Sequence, residues 1–531
     1  MRYNFLKLTV TAALFFAVTS CTKKLDRFPT NDITGTTVYS TAQGYQEAFA
    51  KVYGSFALTG NQGPAGNGDI QGIDEGTSDF LRLFWCAQEL STDESIVGWG
   101  DAGLPDFHNM NWSSDNPFLK GLYYRSFYQI TLCNEFIRQA SDDNLASRGI
   151  TGADADNIRI YKTEARYLRA YQYWVLMDLF GNVPFITEND ALGSTLPKQI
   201  RRDSLFTYVE SELLAIEPGL ADAKTNEYGR ADKAACWALL ARLYLNAEVY
   251  TGTPKWTDAI NYSKKVIDAG YSLVDDYRNL MLADNNLNTN EFIFTINYDG
   301  LYTQNYGGTT FLTHASVGGN MDPSKFGVGG GWGGLRTTKN IPNLFPDYTG
   351  ALDKRAQFYQ NDGIDIAEVS TFTNGFAVTK YRNLTRDGHT APHIDPSNTF
   401  TDIDFPLFRL AEQYLIYAEA VLRSGNEGDI STAVGYINLL RQRAYGNTSG
   451  NISSTDLTLD FILDERAREL YYEGFRRTDL IRFHKFTEGS YLWPWKGGIA
   501  DGTGVPAFRN LYPIPTSDLT SNPNLTQNSG Y

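Results

Sequence analysis

The most regular pattern of apolar and polar positions lies in the segment "IYKTEARYLRAYQYWVLMDLFGNVP". Its apolar residues fall close to one face at helical spacing and predict a helix; they are Tyr161, Ala165, Leu168, Val175 and Leu179. Gly181 and Pro184 follow, and we expect them to end this helix. A helix is also predicted from Tyr45, whereas the stretch from Gly60 to Pro117 is predicted to be irregular.

A repeated spacing predicts two pairs of adjacent helices. In the first pair, the spacing of the first helix of a tetratricopeptide repeat is found at Trp237, Leu240, Ala241 and Tyr244. Ala259 is the small residue that opens the packing face of the next helix. Equivalent positions return later as Tyr414, Tyr417, Ala418 and Val421, followed by Ala433, Ile437 and Leu440. The irregular loop lengths between these matches indicate a mainly α, repeat-derived scaffold rather than a regular solenoid.

Between the helical blocks, residues 284–405 are mostly Gly, Asn, Asp, Thr and aromatic residues. Only "EFIFTINY" and "GFAVTKY" are typical of short strands. A loop region of this length inside a compact protein is more often functional than idle. We therefore predict one domain, residues 41–531, with an N-terminal helical part (41–283), a loop-rich ligand face (284–405) and a C-terminal helical part (406–531).

The start of the chain has the make-up of an export signal. Arg2 and Lys7 accompany an apolar run that is too short to span a bilayer as a helix. The residues directly before Cys21 resemble the lipobox of a bacterial lipoprotein signal. We therefore predict residues 1–20 to be a signal peptide, Cys21 to be lipidated, and residues 21–40 to form a polar tether. The alternative is a plain secretory signal with an incidental cysteine.

The net charge of the chain limits the classes of ligand that it is expected to bind. Lys and Arg total 46 and Asp and Glu total 61, which gives a net charge of −15 at pH 7. Nucleic-acid binding needs a basic surface, so we predict no nucleic-acid partner, and anionic ligands are disfavoured. The remaining cysteines, Cys86, Cys133 and Cys236, are odd in number and widely spaced. They predict buried apolar positions rather than a disulfide framework.

The glycine-rich segment "GGGWGG" contains the spacing G-x-G-x-x-G at Gly329, Gly331 and Gly334. No strand is predicted before it and no apolar helix after it, so it does not predict a dinucleotide site. We expect these glycines to free the backbone so that Trp332 projects from a loop.

The histidines and carboxylates give only weak indications of a metal site or a catalytic site. His389 and His393 are four residues apart, but Pro392 separates them and no acidic ligand stands at helical spacing, so no metal site is predicted. The dense charged stretch "LDERARELYYEGFRRTDLIRFHK" predicts a helix held by an internal network of ion pairs, with a buried stripe at Leu459, Leu463, Ala467 and Leu470. A glycosidase pair of carboxylates is the alternative, and it would need two acids facing each other across a cleft.

Several segments together resemble the SusD/RagB family. In order, they are "EARYLRAYQYWVLMDLFGNVP", "FPLFRLAEQYLIYAEA", "YINLLRQRA", "DERARELYYEGFRRTDLIRFHK" and the ending "LYPIPTSDLTSNPNLTQNSGY". The resemblance implies a non-enzymatic nutrient-binding lipoprotein of the outer membrane, displayed at the cell surface over a SusC-like, TonB-dependent barrel. It also implies a helical fold with tetratricopeptide-like pairs. Structural calcium is compatible with the family, but no EF-hand-like loop identifies ligands, and no cofactor is predicted.

The resemblance also implies a ligand surface. In the starch-binding member the ligand lies on an arc of aromatic residues from two loop regions. The positions that correspond here are Trp99 and Asp101 in the first region, Tyr298 and Trp332 in the second, and Arg82. Sugar rings present apolar faces that stack on indole and phenol rings, and their hydroxyls need partners such as Asp or Arg.

The leading hypothesis is a surface lipoprotein that binds an oligosaccharide or polysaccharide and passes it to the barrel. The same architecture could instead bind oligopeptides, and a lipid-anchored glycoside hydrolase is the alternative from a different class. Trp493 and Trp495 are expected to form a further exposed pair, which could bind ligand or cover the barrel.

Overall fold

The computed structural model describes residues 35–60, 62–190, 193, 196–425 and 428–531. The predicted signal peptide and Cys21 lie outside these residues, as does most of the predicted tether. The described end of the tether region contains the short helix Gly35–Val38. The chain is mainly helical with a few short strands, which confirms the predicted fold class.

Most of the helices lie before and after the loop-rich region. The N-terminal part contains Ala42–Gly54, Phe80–Glu89, Pro105–Asn109, Pro117–Gln139, Asp142–Ser147, Gly152–Phe180, Arg202–Ile216, Lys233–Leu245, Ala247–Thr251 and Trp256–Ile267. The helix Gly308–Ala315 lies within the loop-rich region. The C-terminal part contains Leu410–Ser424, Ile430–Tyr445, Leu459–Leu470, Arg476–Arg482 and Thr516–Ser521.

The helix Gly152–Phe180 has the predicted position and ending. Its last three turns are buried throughout, and Gly181 closes it with a positive φ of 73°, a conformation that glycine adopts without steric cost. The prediction of an irregular stretch from residue 60 to 117 was wrong at two helices, Phe80–Glu89 and Pro105–Asn109. All ten residues of Phe80–Glu89 are buried.

The two predicted helix pairs form and lie side by side. Lys233–Leu245 packs against Trp256–Ile267, which packs in turn against Leu410–Ser424, and this last helix packs against Ile430–Tyr445. Ala241 and Ala418, the small residues of the repeat spacing, are fully buried within their pairs.

A buried ion pair links the two pairs. The guanidinium of Arg242 donates to both carboxylate oxygens of Glu412, at 2.7 and 2.8 Å, and also to the carbonyl of Leu407. The two residues belong to the first helix of each pair, so this bidentate contact joins segments that are distant in sequence.

The strands form four antiparallel pairs. They are Ile96–Val97 with Leu335–Arg336, Val183–Pro184 with Gln199–Ile200, Phe292–Ile296 with Phe405–Arg409, and Phe358–Tyr359 with Ala377–Val378. The first of the two predicted strands is confirmed as Phe292–Ile296, whereas in "GFAVTKY" only Ala377–Val378 is a strand.

The pair Phe292–Ile296 with Phe405–Arg409 closes the loop-rich region. Phe292 faces Arg409 and Ile296 faces Phe405, so the chain leaves the scaffold and returns to it at one place. All residues of both strands are buried. Continuous burial removes the polar alternation of a half-exposed strand, which is why Phe405–Arg409 was not predicted.

The charged C-terminal segment is buried in ion pairs, as predicted. The carboxylate of Glu469 contacts Arg409 at 2.7 Å, Arg443, and Arg355 at 3.4 Å. Arg409 also binds Glu473 at 2.7 Å. None of these five side chains is more than 7% exposed. We call this set the Glu469 cluster.

The Glu469 cluster joins three secondary-structure elements of the C-terminal part. Arg409 ends the second strand of the central pair, Arg443 lies on the helix Ile430–Tyr445, and Glu469 lies on Leu459–Leu470. Burial alone would raise the pKa of Glu469, but the three arginines lower it to about 2. The carboxylate is therefore ionised at neutral pH.

The burial of the three remaining cysteines was also predicted from the sequence. Cys86, Cys133 and Cys236 are buried and unpaired, as expected for small apolar positions. In the part of the chain that the structure describes, no helix is both long and apolar enough to cross a membrane.

We expect Glu469→Gln to lower the free energy of unfolding by about 3–5 kcal/mol, because it leaves buried arginines without their counter-charge. Urea unfolding followed by tryptophan fluorescence measures this change. The control is Lys264→Ala, which removes the exposed pair of Lys264 with Asp268 on one helix face and should cost about 0.5 kcal/mol or less. Equal losses in the two variants would contradict a structural role for the Glu469 cluster.

Candidate functional site

Two loops that are distant in sequence meet at the loop-rich face. The short strands Ile96–Val97 and Leu335–Arg336 pair in antiparallel fashion, directly beside the candidate tryptophans. The indole N–H of Trp99 donates to the backbone carbonyl of Trp332 at 3.2 Å. The structure therefore brings together the two tryptophans that the sequence placed in separate loop regions.

Tyr306 extends this pair to a row of three aromatic rings, which we call the aromatic arc. The ring centroids of Trp99 and Trp332 are 6.5 Å apart with planes at 47°, and those of Trp332 and Tyr306 are 6.4 Å apart at 53°. Both tryptophans are partly buried, and Tyr306 is 37% exposed. Each ring is tilted against the next, so the three rings do not form one flat surface.

His314 supports the arc from one side. Its ring stacks on Trp332 with centroids 4.7 Å apart and planes at 24°. The two ring nitrogens lie 2.6 and 2.7 Å from the carbonyl oxygens of Gly330 and Thr399, and burial lowers the pKa of this histidine. The imidazole covers one face of the Trp332 indole, which leaves the opposite face for other contacts.

The glycines around Trp332 allow close packing. A Cβ on Gly334 would lie 2.4 Å from the indole of Trp99, and one on Gly331 would lie 2.2 Å from the carbonyl oxygen of Val317. Neither glycine has a positive φ. The interpretation that glycines free the backbone holds at Gly333, which follows Trp332 with a φ of 59°, whereas at Gly331 and Gly334 the missing side chain makes room for neighbouring atoms.

Arg82 lies behind the arc and is only 7% exposed. Its guanidinium carbon is 4.5 Å from the centroid of Phe311 and 5.9 Å from that of Trp99, and Nη1 donates to the carbonyl of Tyr306 at 3.1 Å. Nε of Arg82 has no hydrogen-bond partner among the described residues, and its contact with a ligand stays a prediction. Arg82 connects Trp99 with the loop that carries Tyr306, so it is a positioning residue.

The structure corrects the expectation that Tyr298 is an exposed part of the ligand surface. Its side chain is 5% exposed, and its hydroxyl lies 3.4 Å from the carboxylate of Asp79, which caps the helix Phe80–Glu89. Burial, with Asp79 nearby, raises the pKa of this phenol well above its ordinary value. The segment has tyrosines four residues apart at positions 298, 302 and 306, and only the packing shows that Tyr302 and Tyr306 are the exposed ones.

Asp101 is exposed, as a ligand contact requires. It lines a surface cavity of about 310 Å³ together with Asp74 and Lys120, and this lining does not include the rings of the arc. The expected exposed pair at the C-terminal end is also corrected. Trp493 is 2% exposed, and Trp495 donates its indole N–H to the carbonyl of Ile366 at 2.8 Å.

The charged C-terminal stretch has no pair of acids that faces a cleft. Glu465, Glu469 and Glu473 are at most 3% exposed, and each contacts at least one arginine. An acid and a nucleophile of a glycosidase must both reach the substrate. These carboxylates therefore stabilise the fold and do not form the hydrolase site that the alternative reading of this stretch required.

Comparisons with known proteins agree with this architecture. A sequence model of the SusD family matches residues 347–531. The starch-binding protein SusD of Bacteroides thetaiotaomicron is 36% identical over 583 aligned positions, which cover 100% of both chains. A SusD-like protein of Bacteroides ovatus is 23% identical and covers 93% of this chain and 84% of its own. The first of these relatives is named as a binding protein, in agreement with the prediction that the chain is not an enzyme.

Solved structures show the same fold. A SusD superfamily protein of Bacteroides thetaiotaomicron has a TM-score of 0.70 at 21% identity, with 92% of this chain and 99% of the other covered. The surface glycan-binding protein A of Bacteroides fluxus has a TM-score of 0.69 at 22% identity, with 92% and 100% covered.

We expect Gly334→Ala to displace the indole of Trp99, because the added methyl group would occupy the position of the ring. The tryptophan signal in near-UV circular dichroism should change, and the free energy of unfolding should fall by about 1–3 kcal/mol, as overpacking does elsewhere. Gly330→Ala is the matched control, since a Cβ there meets nothing within 4 Å. Identical spectra and stabilities for the two variants would contradict the packing described for the arc.

Proposed function

Because the chain belongs to the SusD family, we propose that it is a glycan-binding lipoprotein of the outer membrane whose ligand stacks on the aromatic arc. The observation that carries this proposal is the row of tilted rings formed by Trp99, Trp332 and Tyr306. The starch-binding relative, aligned over the full length, supports a glycan as the ligand.

The chemistry of the arc suits a neutral sugar chain. Indole and phenol rings offer flat apolar surfaces to the C–H faces of sugar rings. An α-1,4-linked glucan is itself a curved chain, so its successive sugar faces can follow rings that are tilted against one another. The net charge of −15 is compatible with a neutral polysaccharide and unfavourable for a polyanionic one. Starch is therefore the first glycan to test.

We also propose that the protein is anchored through lipidated Cys21 at the cell surface and passes its ligand to a SusC-like, TonB-dependent barrel. The export signal at the start of the chain and the family membership support this arrangement. A peptide ligand remains the alternative for the same surface, and the experiment below separates the two.

The test is electrophoresis of the full chain, in detergent, through native gels that contain amylopectin, dextran, xylan or no polysaccharide. Amylopectin should retard the wild-type protein. Trp332→Ala and Tyr306→Ala should weaken binding about tenfold or more, because truncation of a central aromatic contact costs about 2 kcal/mol. Trp256→Ala, a partly buried tryptophan on a scaffold helix, is the control and should be retarded like the wild type.

Two outcomes would count against the proposal. Absence of retardation by every polysaccharide would favour a peptide ligand, to be tested with a library of short cationic peptides. Retardation that persists in both arc variants would place the glycan elsewhere on the surface.

A further inference from the structure

Three side chains that could bind a metal ion converge next to the aromatic arc. The donor atoms of Asp299, His393 and Asp402 all lie within 4.8 Å of one another. Nδ1 of His393 is 2.9 Å from Oδ2 of Asp299 and 3.7 Å from Oδ1 of Asp402. Sequence reasoning compared His393 only with His389, whereas the acids that it meets come from two other positions in the loop-rich region.

Backbone hydrogen bonds hold the two carboxylates in place. Oδ1 of Asp299 accepts the N–H groups of Leu301 and Tyr302 at 2.8 and 3.1 Å, and Oδ2 of Asp402 accepts the N–H of His393 at 2.9 Å. In each carboxylate one oxygen is thus used by the backbone, and the other faces the imidazole. The arrangement leaves two oxygens and one nitrogen directed at a common space.

The backbone around the cluster is closely packed. The N–H of Gly300 donates to the carbonyl of His393 at 3.1 Å, and a Cβ at Gly300 would lie 2.4 Å from that oxygen. The loop that carries Asp299 can approach the returning segment this closely only because residue 300 is glycine. The three donors are therefore held together by contacts that do not depend on any ion.

The cluster lacks a permanent positive charge. Among residues 35–60, 62–190, 196–425 and 428–531, no Lys or Arg forms an ion pair with Asp299 or Asp402. Asp404 adds a carboxylate two residues further on, where it accepts the N–H of Tyr298 and the hydroxyl of Tyr228 at 2.9 and 2.8 Å. A cation would balance this local negative charge.

We propose that Asp299, His393 and Asp402 bind one divalent transition-metal ion with the ligand preferences of Zn²⁺. An imidazole nitrogen with two carboxylate oxygens is a donor set that zinc accepts. Calcium takes six to eight oxygen ligands, and magnesium favours an octahedral shell of oxygens, so both fit this set less well. Three protein ligands leave a coordination position for water or for a hydroxyl group of a ligand.

The position of the cluster links it to the aromatic arc, and this second part rests on the proposed function. Asp299 begins the loop that ends at Tyr306. Asp402 lies two residues after Phe400, whose ring centroid is 5.5 Å from that of Tyr306. A metal ion would tie the loop of Tyr306 to the segment against which that ring packs. We therefore expect the metal to strengthen glycan binding without contacting the arc.

Metal binding is tested on the full chain after removal of metals by chelation. Isothermal titration with Zn²⁺ should show one site per chain in the wild type. His393→Ala and Asp402→Asn should weaken this site at least tenfold. His389→Ala is the matched control, because its side chain is exposed on the same stretch of chain and lies outside the cluster. It should bind like the wild type, and far-UV circular dichroism checks that each variant folds.

Several outcomes would overturn the metal site. They are no zinc binding by the wild type at micromolar concentration, equal binding by wild type and His393→Ala, or binding of Ca²⁺ in preference to Zn²⁺. None of these results depends on glycan binding, so the metal site and the proposed function fail separately.

The link to the arc is tested by measuring amylopectin affinity with and without Zn²⁺. The wild type and His389→Ala should bind more tightly in the presence of the metal, and His393→Ala should show no response. A wild-type affinity that is unchanged by a bound metal would overturn the link and leave the site itself supported by the titration. Loss of amylopectin binding under all conditions would instead contradict the proposed function.

Discussion

The buried ion pairs around Glu469 are the interaction on which the arrangement of this molecule depends. Arg409, Arg443 and Arg355 approach one carboxylate from a strand end, a helix and the loop-rich region. Charged groups without water are stable only when they are paired and hydrogen-bonded, so the elements that carry them have little freedom to shift. Arg409 is also the last residue of the strand that closes the loop-rich region. The same ions that hold the C-terminal helices therefore hold the base of the ligand face.

Above this base, a small number of contacts positions the loops that carry the aromatic rings. The strands Ile96–Val97 and Leu335–Arg336 bring an N-terminal loop to the central loops, and Arg82 joins Trp99 to the loop of Tyr306 through ring contacts and one hydrogen bond. Gly334 lets the indole of Trp99 lie against the backbone. A rigid helical scaffold thus carries an aromatic surface whose rings are set by packing from behind. Such preorganisation lowers the entropic cost of binding a flexible sugar chain.

The scaffold was largely predictable from the sequence. Periodic apolar positions identified the helix Gly152–Phe180, and the spacing of the tetratricopeptide repeat identified the two helix pairs. The dense run of acids and arginines indicated an internal network of ion pairs, because charged side chains on a helix with a buried apolar stripe need partners. The elements that were missed include the helices Phe80–Glu89 and Gly308–Ala315 and the strand Phe405–Arg409. The strand is buried throughout, and continuous burial removes the polar alternation that marks a half-exposed strand.

The ligand face was predictable only in part. Trp99 and Trp332 were found as residue types that suit a sugar surface, but Tyr298 is buried, whereas Tyr306, which was not predicted, is exposed. By itself, the sequence determined the helices, the family resemblance and the chemical character of the loops, because these follow from local pattern and composition. The tertiary structure alone decided which tyrosine is exposed and which acids meet His393. Exposure and convergence depend on contacts between residues far apart in the chain, and no local pattern records them.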